Sequence, residues 1–396
     1  MFKFLTKQNI ATLFLVLMCI QYVPLEGTGV SYVKFGAMCF SPLIWLICSP
    51  KITKAFIWGM LYFAMILFSG LFHYSTFRLS TIGYLFSFIC MFIMFYNLIY
   101  CERAFSLDYF IKLLKNFILA YTICLLIQQA FIIVGIKIFS PINLVNTLNR
   151  GIGAQSLSLE PSHSARIMTV LFLAFLRMYE VKWGRENVTI TKIYQDARWV
   201  VLGFLWSMLT MGSGTAFVGL GILSLYFIKR QYALTIVPLL IVLYLVIPYI
   251  KFEPLQRAKV TFEAALTLDQ EEVIKADGSA AIRVNPLINT FTDMNFSSSE
   301  TWFGKGTVSE VQKKTWYKEK SKIGNIDQYG LLSFFIGLIL LFSCCFYKVF
   351  SLETLLCFVL LGLTINNFSY IWGCYMILVP VKYFYLTQKK PIPIHE

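Results

Sequence analysis

Residues 79–100 read LSTIGYLFSFICMFIMFYNLIY, a run of apolar and uncharged polar residues without one charged side chain. A helix needs roughly 20 such residues to cross a membrane. Similar runs recur along all 396 residues of the chain, of which 58% are hydrophobic and only 14% are charged. A soluble domain carries about a quarter charged residues. The composition therefore excludes a soluble enzyme, a disordered protein and a disulfide scaffold, and it indicates an all-α polytopic membrane protein.

The apolar runs predict about 12 transmembrane helices, because twelve spans use ~240 residues and leave enough chain for loops and ends. No small-x-small cleavage site follows the first run, so we expect no cleavable signal peptide. The predicted spans are 9–25, 29–49, 53–73, 79–100, 112–137, 163–180, 198–212, 214–229, 232–250, 327–347, 351–365 and 367–386.

Positive charges predict the orientation of these spans. The chain has 34 Lys and Arg against 20 Asp and Glu, which gives a net charge of +14. Outside one long loop, most of the basic residues fall in alternate turns, for example Arg177 and Lys182, which we assign to the turn after the sixth span. By the positive-inside rule, both termini are expected to be cytoplasmic. The excess charge is then an orientation signal and does not indicate a nucleic-acid partner.

Two outer segments are longer than a turn and divide the chain. We expect residues 1–250 to carry nine spans and an outer-face loop at 138–166, residues 251–326 to form a large outer loop, and residues 327–396 to carry three spans and a cytoplasmic tail. The large loop has helical spacing over 255–276, with a second short helix expected from Ser279. Loops of this length without a domain fold are usually functional.

Three ionisable residues lie together where the 138–166 loop enters the sixth span. Glu160, His163 and Arg166 are three positions apart, which makes them neighbours on a helix surface, and Pro161 suits the first helical turn. Ionisable side chains at a membrane indicate function by default. The structural alternative is that Glu160 complements the helix dipole and Arg166 pairs with it.

Other charged residues on the outer side are candidate ligands. Arg150 lies on a glycine-flanked loop and can hold a phosphate through its fork of donors, or it is a solvated loop arginine. The long loop adds Arg257, Arg283 and Lys305, and Asp327 opens the tenth span, where an acid also suits a helix N-terminus. No Cys/His cluster has metal-ligand spacing, so we expect neither a metal nor a cofactor.

The order of these motifs resembles that of bacterial O-antigen and capsular polysaccharide polymerases (Wzy-type), in the O-antigen polymerase/ligase superfamily. The motifs are Arg150-Gly151, Glu160-Pro161-Ser162-His163, the hairpin LTMGSGT at 209–215, Arg283 in a long outer loop, Phe303-Gly304-Lys305-Gly306, and Asp327-Gln328-Tyr329-Gly330. The family often has an arginine where this chain has Gly214, and a histidine where it has Gly324.

The resemblance implies a GT-C-like fold and a metal-independent glycosyltransferase. Such an enzyme joins repeat units carried on undecaprenyl diphosphate into O-antigen or capsule polymer, at the outer leaflet of the bacterial inner membrane. The implied partners are those lipid-linked glycans, the lipid bilayer, a chain-length regulator and a flippase, with no nucleic acid. The implied catalytic residues are Glu160, His163, Arg166 and Arg283, and the implied substrate-binding residues are Arg150, Arg257, Lys305 and Asp327.

Three other functions stay open at this point. An O-antigen ligase, which transfers polymer to the lipid A core, shares the architecture but tends to rely on a histidine before the last motif, where this chain has Gly324. A lipid-linked oligosaccharide flippase would show two similar halves and charges inside its spans. A membrane scaffold would not need the charged residues at 160–166.

Overall fold

A computed structural model describes residues 6–21, 32–73, 79–136, 151–228, 278–306, 322–365 and 368–389, with six single residues between 245 and 267. Within these residues every regular element is a helix. The α-helices are α1 (Lys7–Cys19), α2 (Tyr32–Cys48), α3 (Lys54–Phe72), α4 (Leu79–Tyr100), α5 (Leu107–Ile133), α6 (Pro161–Trp183), α7 (Ile190–Thr210), α8 (Gly214–Phe227), α9 (Gly278–Thr292), α10 (Ser299–Phe303), α11 (Ile326–Cys344), α12 (Leu352–Leu361) and α13 (Ser369–Lys389).

These helices follow the predicted spans, because an uncharged apolar segment satisfies its backbone polar groups best as a helix. Each predicted span overlaps one helix, except 232–250, which lies outside the described residues apart from Leu245. Among the described residues, four segments are long and apolar enough to cross a membrane: Lys54–Phe72, Thr81–Tyr100, Leu107–Ile133 and Ile323–Cys344. The architecture is consistent with a helical membrane protein.

Helix α6 lies at the centre of the bundle and is buried along most of its length. It packs against α5, α7, α8, α12 and α13. Gly219 of α8 faces Thr169 of α6, and a Cβ at this glycine would lie 2.3 Å from the threonine hydroxyl. A small residue at this position therefore allows the two helices to approach closely, as is common between membrane helices.

A carboxylate joins three chain segments at one end of the bundle. Glu102, in the turn between α4 and α5, lies 2.5 Å from the Nζ of Lys7 and 3.4 Å from the Nζ of Lys51. The hydrogen bond from Lys7 is the main reason why the pKa of Glu102 is below its usual range. The start of α1, the α2–α3 turn and the α4–α5 turn therefore lie together, as the alternation of spans predicts for them.

A buried ion pair ties α6 to α12. Arg177 is 5% exposed and Glu353 is 1% exposed. Arg177 Nε donates to Glu353 Oε1 at 2.5 Å, and its Nη1 donates to Glu180 Oε2 at 2.8 Å. The guanidinium also lies 5.4 to 5.8 Å from three aromatic ring centroids, those of Tyr226, Tyr347 and Tyr385. The assignment of Arg177 to the turn after the sixth span is therefore wrong, because the residue lies within α6 and its partners hold it inside the bundle.

Helix α12 is shorter than the span predicted at 351–365. Its ten residues extend over about 15 Å, half of the ~30 Å thickness of the hydrocarbon layer. The helix ends at Gly362, whose φ is +60°, and the chain continues to Ile365 without helical structure. Tyr62 of α3 donates to the Ile365 carbonyl at 2.9 Å. Non-helical backbone of this kind is tolerated inside a membrane where protein covers it.

Helix α7 begins at Ile190, ahead of the predicted span at 198–212. The Thr189 hydroxyl caps it by accepting from the Lys192 N–H at 3.3 Å. The backbone of Ala197 is not helical, with φ −142° and ψ 44°, so α7 has two parts that meet at this residue. The apolar run predicts only the second part.

We expect Glu353→Gln to destabilise the detergent-solubilised protein by about 1–3 kcal/mol, because it removes the more deeply buried of the two carboxylates that pair with the Arg177 guanidinium and leaves only Glu180. Thermal or denaturant unfolding measures this change. Lys182→Gln is the matched control, since it breaks an exposed pair with Asp108 that contributes about 0–1 kcal/mol. Replacement of both Arg177 and Glu353 by apolar residues should lower the stability less than Glu353→Gln alone. Equal losses of stability in Glu353→Gln and Lys182→Gln would contradict the buried ion pair between Arg177 and Glu353.

The Glu102 contacts predict an acid-sensitive contribution to stability. Because the folded pKa of Glu102 is lowered, its contribution is complete above the unfolded value of about 4.3 and is lost as the pH falls through the folded pKa. The difference in melting temperature between the native chain and Glu102→Gln should stay constant near neutral pH and vanish in acid. A difference that persists unchanged in strong acid would show that these ion pairs are not its source.

Candidate functional site

The loop before α6 is held in place by polar side chains of α5. Gln128 is 1% exposed; its amide nitrogen donates to the Ser156 carbonyl at 3.1 Å and its amide oxygen accepts from the Ser156 N–H at 2.7 Å. The Ser156 hydroxyl donates to the Tyr121 carbonyl at 2.6 Å. Buried backbone groups of a non-helical segment need such partners, so residues 151–160 have a defined path to the first turn of α6.

Glu160 takes the N-cap position of α6, and Pro161 opens the helix as predicted. The Glu160 side chain makes no capping hydrogen bond to the helix N–H groups. Its Oε2 instead accepts from the Ser162 hydroxyl at 3.1 Å and lies 3.7 Å from His163 Nε2. The Glu160 side chain is 63% exposed, whereas that of His163 is 14% exposed. Of these two side chains, the carboxylate is therefore the one that a large substrate reaches.

Gln21, just after α1, fixes the ring of His163 from the other side. His163 Nδ1 lies 2.9 Å from Gln21 Oε1, and the Leu159 N–H donates to the same oxygen at 3.5 Å. The Leu159 N–H can only donate, which supports the assignment of this atom as the amide oxygen, and an amide oxygen only accepts hydrogen bonds. His163 Nδ1 therefore carries a proton, and Nε2, which faces Glu160, can donate to the carboxylate only when the ring carries a proton on both nitrogens.

Helix α13 completes the group through Tyr370. The Tyr370 ring stacks on His163, with centroids 4.1 Å apart, and its hydroxyl accepts a hydrogen bond from Arg166 Nη1. Arg166 thus turns toward α13 and does not pair with Glu160, so that part of the structural alternative is wrong. Its Nε is buried without a hydrogen-bond partner among the described residues. We call Gln21, Glu160, His163, Arg166 and Tyr370 the Glu160 cluster.

A second group of candidate residues lies where the segment after α10 meets the start of α11. The Lys305 N–H donates to the Asp327 carbonyl at 2.9 Å, and the Gly306 N–H donates to the Gln328 carbonyl at 3.0 Å. The Lys305 ammonium lies 3.2 Å from Glu300 Oε2, and both side chains are exposed. The two family-like motifs at 303–306 and 327–330 are therefore in direct contact through their backbones.

Two glycines permit this contact. Gly304 and Gly330 have φ values of +83° and +82°, which favour glycine. A Cβ at Gly330 would lie 2.2 Å from the Trp302 carbonyl oxygen. Helix α3 secures the junction, because Ser69 donates to the Phe303 carbonyl at 2.5 Å and His73 Nε2 donates to the Gly304 carbonyl at 2.8 Å. His73 thus has a structural role in this junction.

The structure thus brings Glu160, His163 and Arg166 together, and it groups Lys305 with Asp327 elsewhere. The other candidates lie wholly or partly outside the described residues. Arg150 and Arg257 are outside them, and Arg283 has its backbone in α9, while its side chain is outside.

Sequence reasoning missed two members of the Glu160 cluster. Gln21 was detectable as a polar side chain within the predicted span 9–25, whereas Tyr370 is one of 22 tyrosines and no sequence signal singles it out. Within the described part of the chain, no group of three or more His, Cys, Asp and Glu side chains is arranged to hold a metal ion.

We expect Gly330→Ala to disrupt the junction between the 303–306 segment and α11. The new methyl group would overlap the Trp302 carbonyl, and backbone strain alone costs about 1–3 kcal/mol. Thermal unfolding in detergent measures the loss. Gly221→Ala is the control, because nothing lies within 4 Å of its added Cβ and alanine favours a helix by about 0.5–1 kcal/mol. Equal stability of the two variants would contradict the close approach.

Comparison of the chain with known proteins does not assign a family. No family model, no curated protein and no solved structure matches it.

Proposed function

We propose that this protein is a polysaccharide polymerase that joins oligosaccharide repeat units carried on undecaprenyl diphosphate. The observation that carries the proposal is the exposed Glu160 carboxylate at the end of a buried helix, supported by His163 and Gln21. Glycosyl transfer to a hydroxyl group needs an accessible base at the reacting face. The sequence resemblance to Wzy-type polymerases supplies the substrate class.

The reaction forms one bond and breaks one bond. A hydroxyl oxygen of the acceptor sugar attacks the anomeric carbon of the donor glycan, and the bond from that carbon to the diphosphate oxygen breaks. The bonding electrons leave with undecaprenyl diphosphate, whose negative charge needs cationic donors. The hydroxyl proton passes to the Glu160 carboxylate. The chemical energy comes from the diphosphate ester of the donor itself.

The Glu160 cluster suggests different roles for its members. Glu160 is the base because it is exposed, and the partly buried His163 orients it through Nε2 when both ring nitrogens carry a proton. The amide oxygen of Gln21 accepts a hydrogen bond from His163 Nδ1. This bond fixes the ring so that Nε2 faces the Glu160 carboxylate. Arg166 places a positive charge behind the Tyr370 ring, with its guanidinium carbon 5.7 Å from the ring centroid.

The remaining candidates are proposed as ligands of the diphosphate or the glycan. The basic residues suit the diphosphate, because a guanidinium or ammonium group donates hydrogen bonds to phosphate oxygens. The one acid suits the glycan, because a carboxylate accepts hydrogen bonds from sugar hydroxyl groups. They are Arg150, Arg257, Arg283, Lys305 and Asp327.

The proposal places the protein in the bacterial inner membrane with about twelve spans and both termini in the cytoplasm. The supporting observation is that Lys7, Lys51 and Glu102 meet at one end, whereas the Glu160 cluster lies at the other end of the bundle. The long loop at 251–326 would then face the periplasm and contact the glycan. A chain-length regulator and a flippase are the proposed protein partners.

We expect Glu160→Gln to abolish long-chain polymer, because loss of a general base slows such a reaction by about 10²- to 10⁴-fold. The measurement is the surface glycan ladder of a deletion strain that expresses the variant, with the amount of inserted protein checked by immunoblot. Glu186→Gln, which removes an exposed carboxylate beyond the other end of α6, is the control and should restore the native ladder. A native ladder from Glu160→Gln would remove Glu160 from the mechanism.

Deletion of the gene separates this function from its rivals. A polymerase deletion leaves single repeat units on the cell surface, a ligase deletion leaves polymer on the lipid carrier, and a flippase deletion displays no glycan. Either of the last two outcomes would refute the proposed polymerase.

A further inference from the structure

A pocket of about 630 Å³ lies at the far end of α6 from the Glu160 cluster, across the ~35 Å length of that helix. It opens between the start of α5, the end of α6 and the two parts of α7. We call it the basic pocket. Its charged lining residues are Lys112, Lys115, Lys182, Arg198, Asp108 and Asp196, and its aromatic lining residues are Tyr179, Trp183 and Trp199.

Two of the four basic side chains that line the basic pocket form an ion pair with an acid. Lys115 lies 2.8 Å from Asp196, and Lys182 lies 2.6 Å from Asp108. Partial burial opposes ionisation of Asp196, but its hydrogen bonds from Lys115 and Tyr179 leave its pKa below the usual range, so this ion pair holds at neutral pH. In the part of the chain that the structure describes, the other two basic side chains, Lys112 and Arg198, make no ion pair. Two positive charges are therefore available to an anion.

The break in α7 lies in the wall of the same pocket. The backbone departs from helical geometry at Ala197, so the second part of α7 starts at Arg198, and residues 197–200 line the pocket. Lys112 and Arg198, the latter directly after this break, thus bring two uncompensated cations to one cavity. This arrangement favours a compact anion such as a phosphate group.

The aromatic residues place the basic pocket where lipid headgroups lie. Trp199 is 65% exposed, and the guanidinium of Arg198 lies 5.2 Å from its ring centroid. Tryptophan is enriched at the boundary between hydrocarbon and water. Farther along α7, the exposed side chains of Leu202, Leu205 and Trp206 provide an apolar surface for acyl chains.

We propose that the basic pocket binds the phosphate group of an anionic phospholipid through Lys112 and Arg198, with the acyl chains lying along α7. Basic pockets between membrane helices bind such headgroups. Each Lys or Arg near the membrane surface adds to the binding free energy by about the same amount. The same phosphate chemistry fits a soluble phosphate, which the experiment separates from a lipid. The inference does not rest on the proposed polymerase, because it concerns the opposite end of α6.

The test measures phosphatidylglycerol binding to the full-length protein in detergent by native mass spectrometry. The double variant Lys112→Gln/Arg198→Gln should bind phosphatidylglycerol roughly 10- to 30-fold more weakly than the native chain. Phosphatidylcholine should bind weakly to both proteins. The control variant Arg103→Gln/Lys348→Gln removes two positive charges outside the basic pocket and should bind phosphatidylglycerol like the native chain. Both variants alter exposed side chains, and size-exclusion chromatography checks that each remains folded.

Competition and rescue complete the experiment. If inorganic phosphate fails to displace phosphatidylglycerol, the ligand is the lipid; if it displaces the lipid at low concentration, the site takes a soluble phosphate, and the lipid assignment is overturned. Lys112→Arg/Arg198→Lys should restore most of the phosphatidylglycerol affinity, because it keeps both charges. Unchanged affinity in Lys112→Gln/Arg198→Gln, or an equal loss in the control variant, would overturn the site itself.

Discussion

The Arg177 guanidinium lies deep among helices, and the Glu353 carboxylate beside it makes that burial tolerable. An unpaired charge in such surroundings costs several kcal/mol, whereas a paired and hydrogen-bonded charge does not. The pair therefore specifies how α6 and α12 meet, and the aromatic rings around it bring in α8 and α13. Because α6 carries the Glu160 cluster at its other end, the position of the candidate active site depends on this contact.

The same requirement, that buried polar groups have partners, governs the irregular segments. The loop before α6 bonds to Gln128 and Tyr121 of α5. The chain beyond α12 has its carbonyls covered by Tyr62 and Tyr375 from two other helices. In each case a polar side chain on one helix satisfies the backbone of a non-helical segment. These segments have defined positions only because the helices around them are in place.

Much of the helical content could be read from the chain, because an uncharged apolar run of sufficient length has few alternatives to a membrane helix. The runs at 54–72 and 79–100 became helices with nearly the predicted bounds. The segment 351–365 did not become a full span, since Gly362 ends its helix and Tyr62 stabilises the carbonyl of Ile365. Local composition cannot reveal a hydrogen bond that comes from another helix.

The amino-acid sequence alone predicts the helical class, the hairpin between α7 and α8, and the juxtaposition of Glu160 and His163, which follows from helical spacing. The packing of distant helices brings Gln21 and Tyr370 into that group, since Gln21 lies just after α1 and Tyr370 lies in α13, far away in the chain. It also decided that Arg166 turns to Tyr370 and that Arg177 is buried. Charge and spacing identify which residues are ionisable, but the partners that orient them come from packing between distant helices.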